Sequence, residues 1–327
     1  MPVIVEGTYP VIPRKPTGLF SLDWAVANRG VSGWPQRTIT EIYGHPNVGK
    51  STLAYYLAGV LSDGNIHLCD FEQADLGYVK LSLEHSGYSG KIKVSSVTDP
   101  KGKSISHEQM LEEMASALYD EGVTATILDS VGGIQPIAEK EGDFGEAHMG
   151  KRAKLVAQVS RRLSDALRIK STPSCAFIIN HVHGIMGGRG HTTAGGDTLK
   201  FMAAIRIMMW TEKVWRINEE SDSEVLGFQV KGQLEKLRYG GRGRTFKFYI
   251  VPGYGVHTGV SAMFDCFDYE LAEQGTTVKV NGKSLGYIRK DFLTYATDGR
   301  QRKFDVFRNK LEEHHKKLER EDVVRED

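Results

Sequence analysis

The sequence predicts an α/β fold in which helices cover both faces of a mostly parallel sheet. Short apolar segments rich in β-branched residues alternate with helix-like segments from residue 38 to residue 180. After residue 198 the strand-like segments follow one another without helices between them. Alternation of strands and helices is typical of a parallel sheet, because each helix returns the chain to the same end of the sheet. Consecutive strands indicate antiparallel hairpins, which we place at the edge of the sheet.

Periodicity locates the individual elements. In the alternating part, β-branched apolar runs predict strands over residues 38–43, 65–70, 123–129 and 174–180. Apolar residues spaced three and four apart predict helices over 50–61, 109–119 and 150–170. In the later part we predict strands over 201–210, 227–238 and 244–251, with the glycine-rich turn 240–243 between the last two.

The chain divides into three regions. Residues 1–17 form an N-terminal arm, because three prolines disfavour a helix while Val3, Ile4 and Val5 favour a strand. Residues 18–258 form the core, and residues 259–327 form a small C-terminal α/β appendage in which Asn281-Gly282 predicts a hairpin. The last 27 residues hold eight basic and eight acidic residues. One apolar stripe predicts that they form a docked amphipathic helix with a charged tail: Phe304, Phe307, Leu311 and Leu318.

Composition excludes several classes of protein. The 327 residues are 40% hydrophobic and 25% charged, which excludes a disordered or fibrous chain. The net charge of +1 excludes a uniformly basic protein but leaves a local basic face open. The three cysteines have no CxxC spacing, so we expect reduced thiols in a cytoplasmic protein. No apolar stretch is long enough to cross a membrane, and the chain does not begin with a signal-peptide pattern.

A phosphate-binding loop stands between the first strand and the first helix of the alternating part. Residues 44–51 fit the pattern GxxxxGK[ST]. Glycines let successive backbone N–H groups turn inward around phosphate oxygens, the lysine contacts the β- and γ-phosphates, and the hydroxyl is a ligand for Mg²⁺. The strand–loop–helix context therefore predicts a nucleotide site formed by the following residues: Gly44, His45, Pro46, Asn47, Val48, Gly49, Lys50, Ser51 and Thr52.

Two carboxylates follow neighbouring strands at the same edge of the sheet. Asp129 ends the strand ATILD, where it is placed to hold Mg²⁺ together with Ser51. Glu72 lies just beyond the strand NIHLCD, and we predict that it orients or deprotonates the attacking water. The residues alone leave a surface glutamate as an equal interpretation for Glu72.

A basic helix and two irregular segments predict a nucleic-acid contact. In the helix 150–170, one stripe is almost free of acids: Lys151, Lys154, Gln158, Arg161 and Arg168. Arg152 adds charge beside this stripe, and we predict contacts with a phosphate backbone. The flanking segments are 139–149 and the glycine-rich 183–197, in which Ile185, Met186 and Arg189 are candidate contacts to bases or phosphates.

These motifs together resemble the RecA-type homologous recombinases, including phage-encoded members, over about residues 17–290. The strings that carry the resemblance are TGLFSLDWAV, LCDFEQAD, ILDSVGGIQPIAEKEGDFGEAHMG, IINH and TTAGGDTLKF. The last is the most diagnostic, because other ATPases that share this core lack it. The resemblance implies a RecA-like P-loop ATPase core over 18–258 with two DNA-binding loops.

The resemblance also implies roles for single residues. Glu72 matches the catalytic glutamate, and His181 stands where many bacterial members have a glutamine that senses the γ-phosphate; histidine can donate a hydrogen bond there too. Lys236 and Arg238, in EKLRYG, match a basic pair that reaches the γ-phosphate of the neighbouring subunit. Tyr78 matches the aromatic that stacks on adenine, Phe201 matches an interface aromatic, and DNA contacts are matched by Met149, Arg161, Gly195 and Gly196. We also predict an ATP contact at Asp75 and a DNA contact at Asp197.

The function implied is that of an ATP-dependent DNA recombinase. ATP and Mg²⁺ are the expected cofactors, and the expected partners are single-stranded DNA, homologous duplex DNA, further copies of the chain in a helical filament, and single-strand-binding or loader proteins. In place of the N-terminal helix of bacterial members stands the arm MPVIVEG, which we predict pairs as a strand with the next subunit. Two alternatives stay open: a ring-forming DNA translocase or helicase on the same core, and a paralogue that binds ATP and DNA without strand exchange.

Overall fold

A computed structural model describes residues 12–27, 31–98, 101–140, 150–184, 191–216, 223–240, 243–275, 277–285, 296 and 301–324. Its strands, in chain order, are β1 (Arg14–Lys15), β2 (Trp34–Pro35), β3 (Thr38–Gly44), β4 (Asn65–Asp70), β5 (Ile92–Ser95), β6 (Val123–Asp129), β7 (Cys175–Gly184), β8 (His191–Thr193), β9 (Ile205–Arg216), β10 (Val225–Leu237), β11 (Thr245–Val251), β12 (Gly255–Val256), β13 (Ala272–Gln274), β14 (Val278–Val280) and β15 (Lys283–Ser284).

The helices alternate with these strands in the first two thirds of the chain. They are α1 (Phe20–Ala25), α2 (Lys50–Leu61), α3 (Leu76–His85), α4 (His107–Ala117), α5 (Ile137–Lys140), α6 (Lys151–Ile169), α7 (Gly196–Met202), α8 (Thr258–Asp268) and α9 (Asp305–Val324), with short 3₁₀ turns at Val131–Gly133 and Gln301–Phe304. In the part of the chain that the structure describes, no helix is long and apolar enough to cross a membrane.

The central sheet is parallel in its middle and antiparallel at one edge. Its strand order is β12-β11-β10-β9-β3-β7-β6-β4-β5, with β8 paired to β7. The strands from β9 to β5 in this order run parallel, whereas β10, β11 and β12 are each antiparallel to the strand before them. This arrangement confirms the predicted mostly parallel sheet with antiparallel edge strands.

Helices cover both faces of the sheet. One apolar cluster packs α1, α2 and α3 against one face, with side chains such as Leu22, Leu53 and Val79. A second cluster packs α4, α6 and α7 against the other face, with Met110 and Leu163 among its members. The strands are apolar on both sides because both sides are covered, which is the reason they read as continuous hydrophobic runs in the sequence.

The C-terminal part adds a third cluster beside the antiparallel edge. Helix α8 and the stripe Phe304, Phe307 and Leu311 of the last helical segment pack with Tyr249 of β11, and the strands β13–β15 form a separate small sheet. Asn281 and Gly282 both have positive φ angles between β14 and β15, as the predicted hairpin turn requires. The cluster joins residues on both sides of position 258, so the division at that point stays a prediction.

Two sequence predictions need correction or restriction. The predicted strand 201–210 is wrong at its start, because residues up to Met202 belong to helix α7. This helix begins directly after Gly195, which has a left-handed backbone conformation. Within the proposed arm, Arg14–Lys15 pairs with Trp34–Pro35 of the same chain. Val3, Ile4 and Val5 lie outside the described residues, so their pairing with a neighbouring subunit stays a prediction.

Candidate functional site

The phosphate-binding loop is held tightly between β3 and α2. Gly49 has a φ of 82° and stands directly before α2, where no side chain caps the helix. A Cβ on Gly44 would lie 2.3 Å from the carbonyl oxygen of Met209, and a Cβ on Gly49 would lie 2.2 Å from Cδ1 of Ile250. Only glycine fits at both positions. The uncapped N–H groups at the start of this 12-residue helix suit a phosphate group.

The loop forms the floor of a cavity of about 540 Å³. Ten of the predicted site residues line it: Pro46, Asn47, Val48, Gly49, Lys50, Ser51, Thr52, Glu72, Tyr78 and His181. Gly44 and His45 precede this floor, and the His45 carbonyl accepts a hydrogen bond from Nζ of Lys50 at 2.7 Å. Asp75 does not line the cavity; its carboxylate caps α3 by accepting from the N–H groups of Gly77 and Tyr78.

Glu72 stands at the far end of the cavity between two donors. Its Oε1 lies 3.1 Å from Nε2 of His181 and also accepts a hydrogen bond from the Ser130 hydroxyl. Glu72 and Ser130 follow the ends of β4 and β6, and His181 is the last residue of β7 that pairs with β3; β4, β6 and β7 are neighbours in the sheet. The meeting of strand ends at one edge therefore brings together residues far apart in sequence.

Asp129 is buried beside Lys50 and Ser51 and does not itself line the cavity. Its Oδ2 accepts from the Tyr55 hydroxyl at 2.8 Å, while its buried Oδ1 has no hydrogen-bond donor among the described residues. Burial raises the pKa of this carboxyl, and the hydroxyls of Tyr55 and then Ser51 act in the opposite direction. Burial also lowers the pKa of Lys50. An unsatisfied buried carboxylate oxygen next to a serine hydroxyl fits Mg²⁺, which prefers oxygen ligands and keeps several from water and phosphate.

Lys236 and Arg238 lie outside this cavity. The Lys236 ammonium donates to the carbonyls of Lys200 and Phe201 at 2.7 and 2.9 Å, and Arg238 donates to the Phe201 carbonyl at 3.0 Å. The Phe201 side chain itself is 73% exposed. The structure thus groups a cationic pair and an exposed aromatic ring on one surface, at the end of α7.

The basic stripe of α6 is on the protein surface. Lys151, Lys154, Gln158, Arg161 and Arg168 are all exposed, and the opposite side of the helix is buried. Arg152 is half-buried and lies 3.8 Å from Glu139. The structure describes no ion-pair partner for Lys154, Arg161 or Arg168.

The two predicted DNA-binding loops are described only at their ends. Met149, Ile185, Met186 and Arg189 lie outside the described residues. At the end of the second loop, added Cβ atoms on Gly195 and Gly196 would come within 3.0 Å of Val156 and 3.1 Å of Ala153, both on α6. Asp197 is exposed and pairs with Lys200 at 2.9 Å. The loop end and the basic helix are therefore in direct contact.

The sequence prediction missed one wall of the cavity. Seven lining residues were not predicted: Ile179, Thr211, Phe228, Val230, Ile250, Pro252 and Gly253. Three of them, Phe228, Val230 and Ile250, come from the antiparallel strands β10 and β11, whose order in the sheet cannot be read from the chain. Tyr55 was also missed, although it follows Ser51 by four residues on α2 and so faces the same side. Pro252-Gly253 is a turn signal, but it does not show which face the turn borders.

The fold and the cavity together define a P-loop ATPase whose nucleotide site contains the carboxylate of Glu72. The family model described as the RecA N-terminal domain matches residues 7–257. Because this match covers most of the chain, the protein belongs to the RecA family. It is accordingly a RecA-type DNA recombinase and a DNA-dependent ATPase that uses ATP with Mg²⁺.

Curated relatives agree with this assignment. The chain is 30% identical over 287 residues to Protein RecA of Francisella philomiragia, covering 86% of this chain and 74% of the relative. It is 32% identical over 255 residues to Protein RecA of Geobacter sulfurreducens, covering 76% and 69%. Protein RecA of Francisella tularensis subsp. novicida is 29% identical over 304 residues, covering 91% and 79%.

Proposed function

We propose that this protein forms a helical filament on single-stranded DNA in which each ATP site is completed by the next subunit. One observation carries the proposal. Among the described residues that line the cavity, Lys50 is the only lysine or arginine, whereas Lys236 and Arg238 lie on a separate surface beside the exposed Phe201. A neighbouring subunit that covers the cavity with this surface would supply the missing positive charge, as an arginine finger does.

Within one subunit, the loop residues 46–52 would hold the phosphates, and Ser51 and Asp129 would hold Mg²⁺. The cation supplies charge neutralisation for the developing negative charge. Tyr78, whose hydroxyl lies 2.9 Å from Oγ1 of Thr52, borders the cavity where an adenine ring would stack. Asp75 would act only through its cap on α3, which carries Tyr78.

Glu72 would take the proton of the attacking water. Its Oε1 is held by Ser130 and His181, so the carboxylate is oriented before the reaction. His181 would contact the terminal phosphate as well as Glu72, and would therefore register the loss of that phosphate after hydrolysis.

DNA would bind along the basic stripe of α6 and the two loops that border it. Lys151, Arg152, Lys154 and Arg161 would contact phosphates. Further DNA contacts would come from the two loops: Met149, Ile185, Met186, Arg189, Gly195, Gly196 and Asp197. Phosphate contacts leave the bases free to pair with a homologous duplex, so that base pairing reads the sequence. Subunits would be joined through the exposed Phe201 and the arm residues Val3, Ile4 and Val5. Single-strand-binding or loader proteins would assist assembly. The protein would act in the cytoplasm, which is that of the host if the protein is phage-encoded.

A mixing experiment tests the shared site. Glu72→Gln removes the proton acceptor of a subunit's own site, and Lys236→Ala with Arg238→Ala removes the cations that it offers to a neighbour. Each variant alone should lose DNA-stimulated ATP hydrolysis while remaining folded. An equal mixture should regain about one quarter of wild-type turnover, because that fraction of sites pairs an intact Glu72 with an intact cationic pair at random.

The control is each variant mixed with wild type, which shows that mixed assemblies form. No recovery in the equal mixture, despite mixed assembly, would mean that the site is not completed by a neighbour. Full turnover of the Lys236→Ala, Arg238→Ala variant alone would contradict the proposal in the same way.

A further inference from the structure

A series of hydrogen-bonded polar side chains, Asn180, Glu41 and Arg206, lies beside the nucleotide cavity without lining it. At its centre is Glu41 of β3, whose side chain is 0% exposed. Its Oε1 accepts from Nδ2 of Asn180 at 2.9 Å, and its Oε2 accepts from Nε of Arg206 at 2.5 Å. A buried carboxylate is costly unless both oxygens are satisfied, so these two bonds favour a single arrangement of the three side chains.

Asn180 uses both hydrogens of its side-chain amide and also accepts a hydrogen bond. Besides Glu41, its Nδ2 donates to the carbonyl of Ala194 at 2.8 Å, and its Oδ1 accepts from the backbone N–H of His181 at 2.9 Å. Ala194 is the residue directly before Gly195, where the second loop enters α7. Asn180 therefore ties β7 to the closing end of that loop.

Neighbouring residues on a strand point to opposite faces. His181 contacts Glu72 in the cavity, while Asn180 contacts Glu41 and Ala194. A displacement of β7 at His181 is thus also a displacement of the Asn180 amide. This places one short connection between the phosphate end of the cavity and the loop.

At its other end, this series of polar side chains reaches β10, the strand that carries Lys236 and Arg238. Nη1 of Arg206 lies 3.7 Å from Oε2 of Glu235, and the guanidinium stands 4.7 Å from the centre of the Tyr43 ring. Arg206 on β9 is directly opposite Lys236 on β10. Arg206 is therefore anchored on both sides, and Glu41 is held against a rigid part of the sheet.

We propose that Glu41 and Asn180 are positioning residues that couple the nucleotide cavity to the second DNA-binding loop. A carboxylate only accepts hydrogen bonds, so Glu41 forces the Asn180 side chain to present its NH₂ group, and the second hydrogen of that group then reaches Ala194. Movement of His181 with the phosphate it contacts is passed to Ala194 through Asn180. The inference rests on the proposed function, because it assigns regulation to the same site.

Glu41→Gln tests this coupling with little change in volume. Asn180 and Arg206 both donate to residue 41, and the glutamine side chain has one oxygen in place of two. It can satisfy one donor and faces the other with its own NH₂ group. The orientation of the Asn180 amide is then no longer imposed, and its bond to Ala194 is lost in part of the population.

The measurement is the affinity for fluorescent single-stranded oligonucleotide with and without a non-hydrolysable ATP analogue. The ratio of the two affinities is the coupling factor. We expect Glu41→Gln to lower this factor by about fivefold or more, while affinity for the analogue without DNA stays within about twofold of wild type. Glu235→Gln is the matched control, because it removes the other carboxylate beside Arg206 and leaves Asn180 in place; it should keep the wild-type factor.

The outcomes separate a coupling role from a merely structural one. A Glu41→Gln protein with a lower melting temperature but an unchanged coupling factor would overturn the inference. If Glu41→Gln does not fold, Asn180→Ala, which keeps the ion pair of Glu41 with Arg206, should show the same loss, and an unchanged factor there would overturn the inference. A wild-type protein whose DNA affinity ignores the analogue would overturn the proposed function itself, and this inference with it.

Discussion

Buried ionisable side chains set how stability changes with pH. Burial lowers the pKa of His67 and of His257 to about 4 and raises the pKa of Asp23 to about 6 and of Asp265 to about 7. The histidines disfavour the folded state as the pH falls from 6.5 towards 4, because protonation then favours the unfolded chain. Asp23 and Asp265 act in the opposite direction. Because their pKa values are raised in the folded state, their protonation stabilises the folded state as the pH falls.

Asp265 should make the largest contribution on the acidic side. It is completely buried on α8, and its Oδ2 accepts from the N–H of Ser21 on α1 at 3.2 Å. Since its folded pKa of about 7 exceeds the unfolded value of 3.8, its stabilising contribution is present below pH 3.8 and is lost as the pH rises through 7. Relative to Asp265→Asn, wild type should therefore lose about 1–3 kcal/mol of unfolding free energy between pH 5 and pH 8.

Chemical unfolding at the two pH values measures this difference. Asp63→Asn is the control, because that carboxylate is exposed, pairs with Lys15 at 2.6 Å and is not among the charges that shift the pKa of Asp265. It should retain the pH dependence of wild type. If the Asp265→Asn protein shows the same pH dependence as wild type, Asp265 is ionised throughout this range.

At the scale of elements, α6 combines a buried face and a cationic face. Its buried residues include Val159 and Leu163, and its exposed stripe carries Lys154 and Arg161. Basic residues off the stripe have other partners. Lys170, just beyond the helix, is buried and donates to the carbonyls of Leu118 and Asp120. Position on the helix, and not the number of basic residues, therefore decides which cations face the solvent.

Replacing both Lys154 and Arg161 with alanine should weaken binding to single-stranded DNA to a similar extent for every sequence. It should also reduce the dependence of log K on log salt by about 1.4, since each lost phosphate contact on a single strand contributes about 0.7. Titrations between 50 and 200 mM salt measure the slope, a range in which such contacts dominate affinity.

Arg162→Ala is the matched control on the same helix. Arg162 is half-buried, lies off the stripe and pairs with Glu112. Its replacement should leave the salt dependence at the wild-type value. A wild-type slope in the Lys154→Ala, Arg161→Ala protein would remove the stripe from the DNA interface.

At the scale of the whole molecule, the surface around Phe201 should decide assembly. The side chain is 73% exposed, while its carbonyl holds Lys236 and Arg238 in place. An exposed ring of this size beside two cations is typical of an interface. A subunit that uses one surface to cover a different surface of the next copy forms an open filament when the rotation does not close.

Phe201→Ala should prevent long filaments without unfolding the monomer, because the lost side chain makes little contact within the chain. Negative-stain microscopy with a non-hydrolysable ATP analogue and single-stranded DNA measures this directly. Ile169→Ala is the control, because Ile169 is 66% exposed at the end of α6. Filaments of normal length in Phe201→Ala would place the interface elsewhere.

The same images of wild type test the proposed filament. Long helical filaments that need both ligands support it, whereas closed rings or isolated monomers on DNA would contradict it.

Local patterns were sufficient for the central elements. The predicted strands and helices between residues 38 and 170 agree with the structure within two residues at each end, including α2 and β4, which agree at both ends. These segments are strongly periodic or continuously apolar. The helices α1 and α3 and the strand β5 were not predicted, because α1 is six residues long and β5 is four residues long and mostly half-buried at the edge of the sheet.

The site was predictable wherever its residues lie next to a recognisable motif. The phosphate-binding loop, Asp129 and Glu72 could be placed because each follows a strand that ends at the same edge. The wall formed by Phe228, Ile250 and Pro252 could not, because it depends on the order of antiparallel strands in space.

By itself the sequence determined the strand–loop–helix unit, the carboxylates at the strand ends and the cationic stripe of α6, because each is written in residues close together along the chain. Only the tertiary structure decided which strands are neighbours, and thereby that Glu41 lies against both Asn180 and Arg206, 139 and 165 residues away along the chain. Such contacts arise from the packing of the whole sheet, in which burial of the carboxylate is tolerated only because both partners arrive together.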